Sequence, residues 1–303
     1  MIHKFSEKRG FAYYVDRIID EQCVARLERK ARLFNQARHG EKLAIFANEH
    51  IGISINQYGC YDRFCLNLLF NFLAPIHPVL KDGTALDIGA NIGNHALFFS
   101  SRVGRVLSFE PHPRTFELLA FNARTVDNIT PFNFGLGERD ETLLLNENPE
   151  NMGASSIRYA ADGTLRKIAI AVKRLDDVAG DLAHIDLVKI DVEGHERHVL
   201  GGGLEAIGRH QPLILLEQHD TEFRDGSTPS IDLLKTLGYR FCWHQPTSHR
   251  KSRLVRRLNL LAMAVMGRPY EYAIVTGERV PPATYPMLIA VPPRFRQALG
   301  LPV

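Results

Sequence analysis

No stretch of this sequence is apolar for the ~20 residues that a bilayer crossing needs. The longest candidate, LNLLAMAVM from Leu258, is about half that length. Cysteine is scarce. The four, Cys23, Cys60, Cys65 and Cys242, form no C-x-x-C pair and stand at no zinc-type spacing from histidine. A disulfide scaffold and a zinc module are thereby disfavoured, and reduced thiols in a cytoplasmic protein are expected. Net charge is only +3, too little to imply a nucleic-acid partner. The opening MIHKFSEKRGF places charges where a secretory signal would be apolar. Internal repeats are missing as well.

What is present is an ordinary globular composition, 45% hydrophobic and 23% charged over 303 residues. That suits one large domain with added terminal elements. Residues 13–37 repeat apolar side chains at three- and four-residue spacing (Val15, Ile18, Ile19, Cys23, Leu27), which predicts a helix. A helical arm is therefore expected over 1–57, and a main domain over 58–303. A second helix is expected near 61–73. From Thr84 the pattern changes. TALDIGA, RVLSFEP, PFNFGLG, HIDLVKID and PLILLEQ are short apolar runs, most of them followed by a helical pattern. This alternation predicts a mostly parallel sheet with helices on both faces. TLLLNE and KIAIAVKRL read as β segments inserted after the third strand. YRFCWH, EYAIVTG and MLIAVP close the sheet.

The first strand runs into DIGANIGNH, 87–95. Gly89 and Gly93 bracket Asn91 in a turn that lets a cofactor approach the backbone. The dinucleotide pattern G-x-G-x-x-G is not met, because Asn91 and Asn94 stand at the further positions. A pyrophosphate also disfavours a nearby carboxylate, yet Asp87 ends the strand. An acid there suits a cationic ligand, and S-adenosylmethionine carries an ammonium and a sulfonium against one carboxylate. Glu110 ends the second strand, where a carboxylate can accept from both hydroxyls of a ribose. That position fits a nicotinamide cofactor equally well.

Several of these stretches together resemble the FkbM-type methyltransferases: LDIGANIGNHALF, SFEPHPRTFELL, Asn122, LDDV from Leu175, LVKIDVEGHE and LLEQH, in the same order and approximate spacing. The resemblance covers about 58–219. It implies a Rossmann-like α/β fold, with a seven-stranded sheet and an antiparallel last strand. It also implies S-adenosylmethionine as donor and a hydroxyl acceptor on a saccharide or natural product. Asp87, Gly89, Asn91, Gly93 and Glu110 match the family's cofactor loop and ribose acid. Asp191, Glu193, Gly194 and Glu196 match its fourth-strand motif. An acid nearer the end of the third strand is missing, and Glu138 stands one turn later.

Ligands of open α/β sheets bind at the carboxyl ends of the strands. Asp191, Glu193 and His195 follow the fourth core strand at once and form the expected catalytic group. His195 or Glu193 is the candidate base, with Asp191 orienting it beside the cofactor. Glu217 and His219 reach the same rim from the fifth strand. No resident metal is expected, although Asp191, Glu193, Glu217 and His219 are side chains of the type that ligate one. The stretch about 245–267 is a basic insertion. Its HRKSRLVRR, with the apolar spacing up to 266, reads as a helix that packs on the domain or meets an anionic membrane or a lipid-linked acceptor. Homo-oligomers stay open. So do two other classes of function: a nicotinamide-dependent dehydrogenase, and a nucleoside-binding module without catalysis.

Overall fold

The computed structural model describes residues 11–37, 43–47, 49–147, 166–246 and 272–302. The basic stretch 249–266 lies outside the described residues. The chain divides into two units, Met1–Arg63 and Phe64–Val303. The first contains α1 (Phe11–Ala37) and α2 (His50–Tyr58). Gly59 ends α2 in the left-handed region, at φ 77°, and returns its N–H to Ile55 O. Along α1, Ile18, Ile19, Val24 and Leu27 are exposed. Among the described residues no single helix is long and apolar enough to cross a membrane.

The second unit is a three-layer α/β domain. After α3 (Arg63–Phe72) and α4 (His77–Asp82), the chain alternates β1 (Thr84–Ile88), α5 (Asn94–Ser100), β2 (Arg105–Phe109), α6 (Pro113–Ala123) and β3 (Ile129–Phe132). Next come β4 (Gly135–Gly137), β5 (Glu141–Glu147), β6 (Arg166–Arg174) and α7 (Leu175–Ala179). The rest runs β7 (Leu187–Ile190), α8 (Glu196–Gly201), α9 (Leu204–His210), β8 (Leu213–Gln218), α10 (Pro229–Thr236), β9 (Arg240–Pro246), β10 (Tyr272–Gly277) and β11 (Tyr285–Val291).

The main sheet has the order β10-β9-β11-β8-β7-β1-β2-β3. Strands β3, β2, β1, β7 and β8 are mutually parallel. Strand β11 is antiparallel to β8 and β9. Among the described residues the sheet therefore has eight strands where seven were expected. The eighth, β10, pairs antiparallel along the far edge of β9 and covers it. The run PFNFGLG is not one strand. It divides into β3 and β4, and β4 leaves to join β6 and β5 in a separate three-stranded sheet. Both β1 and β7 are buried along their whole length, which is why they read as unbroken apolar runs.

The switch in chain direction falls between β1 and β7, since β2 and β3 lie on one side and β8 on the other. The carboxyl ends of β1, β2, β7 and β8 thus surround one crevice. The opposite edge is structural. There Asp186 accepts from Thr84 N–H at 3.2 Å and pairs with Arg294 at 3.1 Å, locking the start of β7 to β1 and to the C-terminal segment.

Candidate active site

The loop after β1 is built from left-handed residues. Gly89, Asn91 and Gly93 have φ of 75°, 50° and 89°. At Gly89 a Cβ would stand 1.8 Å from the Asp191 carbonyl oxygen, so the close approach of β1 and β7 requires glycine. Asn91 tolerates its position because its own Oδ1 accepts from Ile92 N–H at 2.7 Å. The side chain of Asn122, fully buried on α6, donates to Ile92 O at 2.7 Å and holds the loop from behind.

The backbone donors of this loop are all occupied. Gly89 and Ala90 N–H both bond Phe109 O at 3.0 Å, and Gly93 N–H bonds Ala90 O at 2.9 Å. Asn91 N–H is taken by Glu110 Oε2 at 2.9 Å, and Ile92 N–H by Asn91. A phosphate-binding loop works by presenting such N–H groups to its ligand. From Gly89 to Gly93 none is left to present.

Glu110 sits at the end of β2 and is 8% exposed. Its other oxygen accepts from His112 N–H at 2.9 Å. Each oxygen keeps a lone pair for a ribose hydroxyl. Burial pushes the carboxyl up to about 7, against the pull of these two N–H groups. For both oxygens to accept from ribose hydroxyls while holding these N–H groups, the carboxyl has to be ionised. S-adenosylhomocysteine affinity is therefore expected to rise roughly tenfold from pH 6 to pH 8. In Glu110→Gln the profile should be flat by calorimetry. His95, also buried nearby, is held down at about 3 by burial and by Lys189, so it does not titrate in this range.

Asp87 does not face the mouth, although its sequence position suggested that it would. It is 0% exposed, and Lys189 Nζ lies 3.4 Å from it. Burial raises its pKa even against that ammonium. Lys189 also pairs with Asp191 at 3.2 Å and donates to Gly89 O at 2.8 Å. Burial would favour the neutral amine, but Asp191 and Asp87 together keep the lysine above its usual value. This lysine was missed in the sequence. Its signal was there: a lone charge inside LVKI, on a strand with no exposed face, must have buried partners.

Asp191, Glu193, Glu217 and His219 crowd the mouth. Asp191 is 32% exposed and hydrogen-bonds Glu217. Burial acts to raise Asp191, but Lys189, the hydrogen bond with Glu217 and His95 together outweigh it, and the carboxyl stays below the usual range. Glu217 is driven well above that range, first by burial and then by Asp191. Glu193 takes a left-handed φ of 52° and is pushed up to about 7 by burial, then by Asp191 and Glu196. Glu193, Glu217 and His219 bring one ligand-type atom each to within 4.8 Å of one another.

His195 goes elsewhere. Its ring stacks on His198 with centroids 4.5 Å apart, and its Nε2 lies against Gly137 of β4. Glu138 is not turned to a cofactor either; it meets Arg197 and His198 of α8 at 3.6 and 3.5 Å. Two motif residues are structural. Glu196 accepts from Val192 and Gly194 N–H and shapes the turn after β7. Asp176 of LDDV caps α9 through Ala206 N–H at 2.8 Å.

Comparison with known proteins agrees with this geometry. The model of the methyltransferase FkbM domain matches residues 87–241, half of the chain, from the end of β1 into β9. The chain belongs to the FkbM methyltransferase family. S-adenosylmethionine is the cofactor of such a domain, and a loop with no free phosphate-binding N–H, next to an acidic mouth, fits it. Curated relatives include hexuronic acid methyltransferase AglP of Haloferax volcanii, 30% identical over 46% of this chain and 57% of the relative. Methyltransferase 1 of Beauveria bassiana is 31% identical over 42% of this chain and 61% of the relative. The 2-O-methyltransferase NoeI of Sinorhizobium fredii is 27% identical over 52% and 71%. The chain thus spans less than two thirds of the first two.

Proposed function

We propose that this chain transfers the methyl group of S-adenosylmethionine to a hydroxyl of a polyhydroxylated acceptor, a saccharide or a related metabolite. The observation that carries the reading is the saturated loop: backbone donors spent on the protein's own oxygens serve a sulfonium nucleoside and not a diphosphate. Calorimetry tests it. S-adenosylhomocysteine is expected to bind, and NADH is not; the reverse result would restore the dehydrogenase reading.

The acceptor end is supported by a cleft of about 600 Å³ between the loops that follow β7 and β8. Its lining includes Glu196, Arg224, Ser227, Thr228 and Ser230, and it has no aromatic residue. Hydroxyl and carboxylate groups of this kind match the donors and acceptors of a sugar better than a flat apolar ring. Two relatives whose names specify a hexuronic acid and a 2-O position favour the same class.

Methyl transfer is an in-line displacement, and the protein's main task is alignment of the acceptor oxygen with the methyl. A neutral sugar hydroxyl must also lose a proton. In this reading the proton goes to the group formed by Glu193, Glu217 and His219, while Asp191, fixed by Lys189, orients the hydroxyl. Glu193 leads because the next residue in its turn, Gly194, lines the cleft. The position of His195 against His198 and β4 argues against it as base. Glu193→Gln should lower kcat by about 10²-fold with cofactor affinity unchanged. An unchanged kcat would remove Glu193 as the base; cofactor binding without methyl transfer by the wild type would favour the binding-module reading.

A further inference from the structure

We propose that Glu193, Glu217 and His219 form a divalent-cation site at the acceptor end of the mouth. The donor atoms of these three side chains lie within 4.8 Å of one another, and none of the three residues is fully exposed. His219 Nε2 and Glu217 Oε2 are 3.6 Å apart, and that carboxylate oxygen is buried and makes no hydrogen bond among the described residues. Two carboxylates and one imidazole from two adjacent strand ends are a ligand set, not a solvated acidic patch. Three carboxylates, Asp191, Glu193 and Glu217, share this mouth, and Lys189 is already divided between Asp87 and Asp191.

Two oxygen donors and one nitrogen donor suit a six-coordinate ion such as Mg²⁺ or Mn²⁺, and they leave coordination positions open. The loops after the same two strands also line the cleft, beginning at Gly194, next to Glu193, and at Thr221, two residues after His219. Two neighbouring hydroxyls of a sugar and one water would complete the coordination. This deepens the methyl-transfer reading and rests on it for the acceptor. With the cation in place, the metal would make a coordinated hydroxyl more acidic, and its proton would pass to water at the mouth instead of directly to a carboxylate.

The test is Mn²⁺ binding to chelator-treated full-length protein, followed by electron paramagnetic resonance, with S-adenosylhomocysteine binding measured in parallel. One Mn²⁺ per chain is expected. His219→Ala and Glu217→Gln should each weaken it by roughly tenfold or more while S-adenosylhomocysteine still binds. That retained binding also shows the variants are folded. Wild-type protein that takes up no Mn²⁺, or variants that bind it as tightly as wild type, would overturn the site. Loss of S-adenosylhomocysteine binding by wild-type protein with Mn²⁺ binding intact would instead remove the methyl-transfer reading and leave the cation site standing.

Discussion

Lys189→Met is expected to destabilise the fold by about 3–5 kcal/mol and to abolish measurable S-adenosylhomocysteine binding. The side chain is 5% exposed, and its ammonium touches three acceptors from two strands: Asp87, Asp191 and the carbonyl of Gly89. Methionine has similar length and fills the volume, so packing is nearly conserved. What is lost is charge. Asp87, with no exposure, keeps a carboxylate without its cation. The Gly89 carbonyl also loses its donor, and the cofactor loop loses its tie to β7. The amine ties the residues just past the two paired strand ends on either side of the switch point, so stability and binding should fall together. Adding Asp87→Asn to Lys189→Met should recover part of the stability, because the stranded charge goes, but not the binding, because the tie remains cut. Urea unfolding and calorimetry on the three variants measure this. A Lys189→Met protein with wild-type midpoint and affinity would show that the pair carries nothing.

Gly89→Ala should be the most damaging of the glycine substitutions, at about 4 kcal/mol or more. Two costs add. An L-residue in the left-handed region costs about 1–2 kcal/mol. The new Cβ would also stand 1.8 Å from the backbone oxygen of Asp191, which cannot move away while Asp191 N–H is bonded to Ile88 O at 3.1 Å. Two other glycines separate these costs. Gly226, at φ 81°, has nothing within 4 Å of where a methyl would stand, so Gly226→Ala should show the conformational cost alone. Gly93→Ala meets only the flexible end of Leu119, at 2.9 Å, and should fall between the two. Melting temperatures ranked Gly226→Ala, then Gly93→Ala, then Gly89→Ala from highest to lowest are expected. Equal values for Gly89→Ala and Gly226→Ala would mean that the loop yields and the contact with β7 is soft.

The mouth was legible in the sequence because of a simple geometric rule. Parallel strands all deliver their carboxyl ends to one edge, so an acid directly after an apolar run lands there. Asp191, Glu193, Glu110, Glu217 and His219 were found that way. Which side chain then turns inward is a different matter. Glu193 and Gly194 both have positive φ, and the reversal they make sends His195 away toward His198 and β4. Spacing along the chain contains no record of that rotation. The same limit explains β4: a turn at Asn133 and Phe134 transfers Gly135–Gly137 to the second sheet, although PFNFGLG reads as one continuous strand.

By itself the sequence determined the alternation of strands and helices and the placing of acids and glycines at strand ends, since apolar periodicity and the conformational freedom of glycine are local properties. Only the tertiary structure decided that Asp87 is a buried anchor, that Lys189 joins β1 to β7, that His219 and not His195 stands with Glu193, and that the loop has no N–H to offer a phosphate. Each of these depends on which strands lie side by side. Residues about a hundred positions apart, such as Gly89 and Lys189, meet only after the sheet has closed.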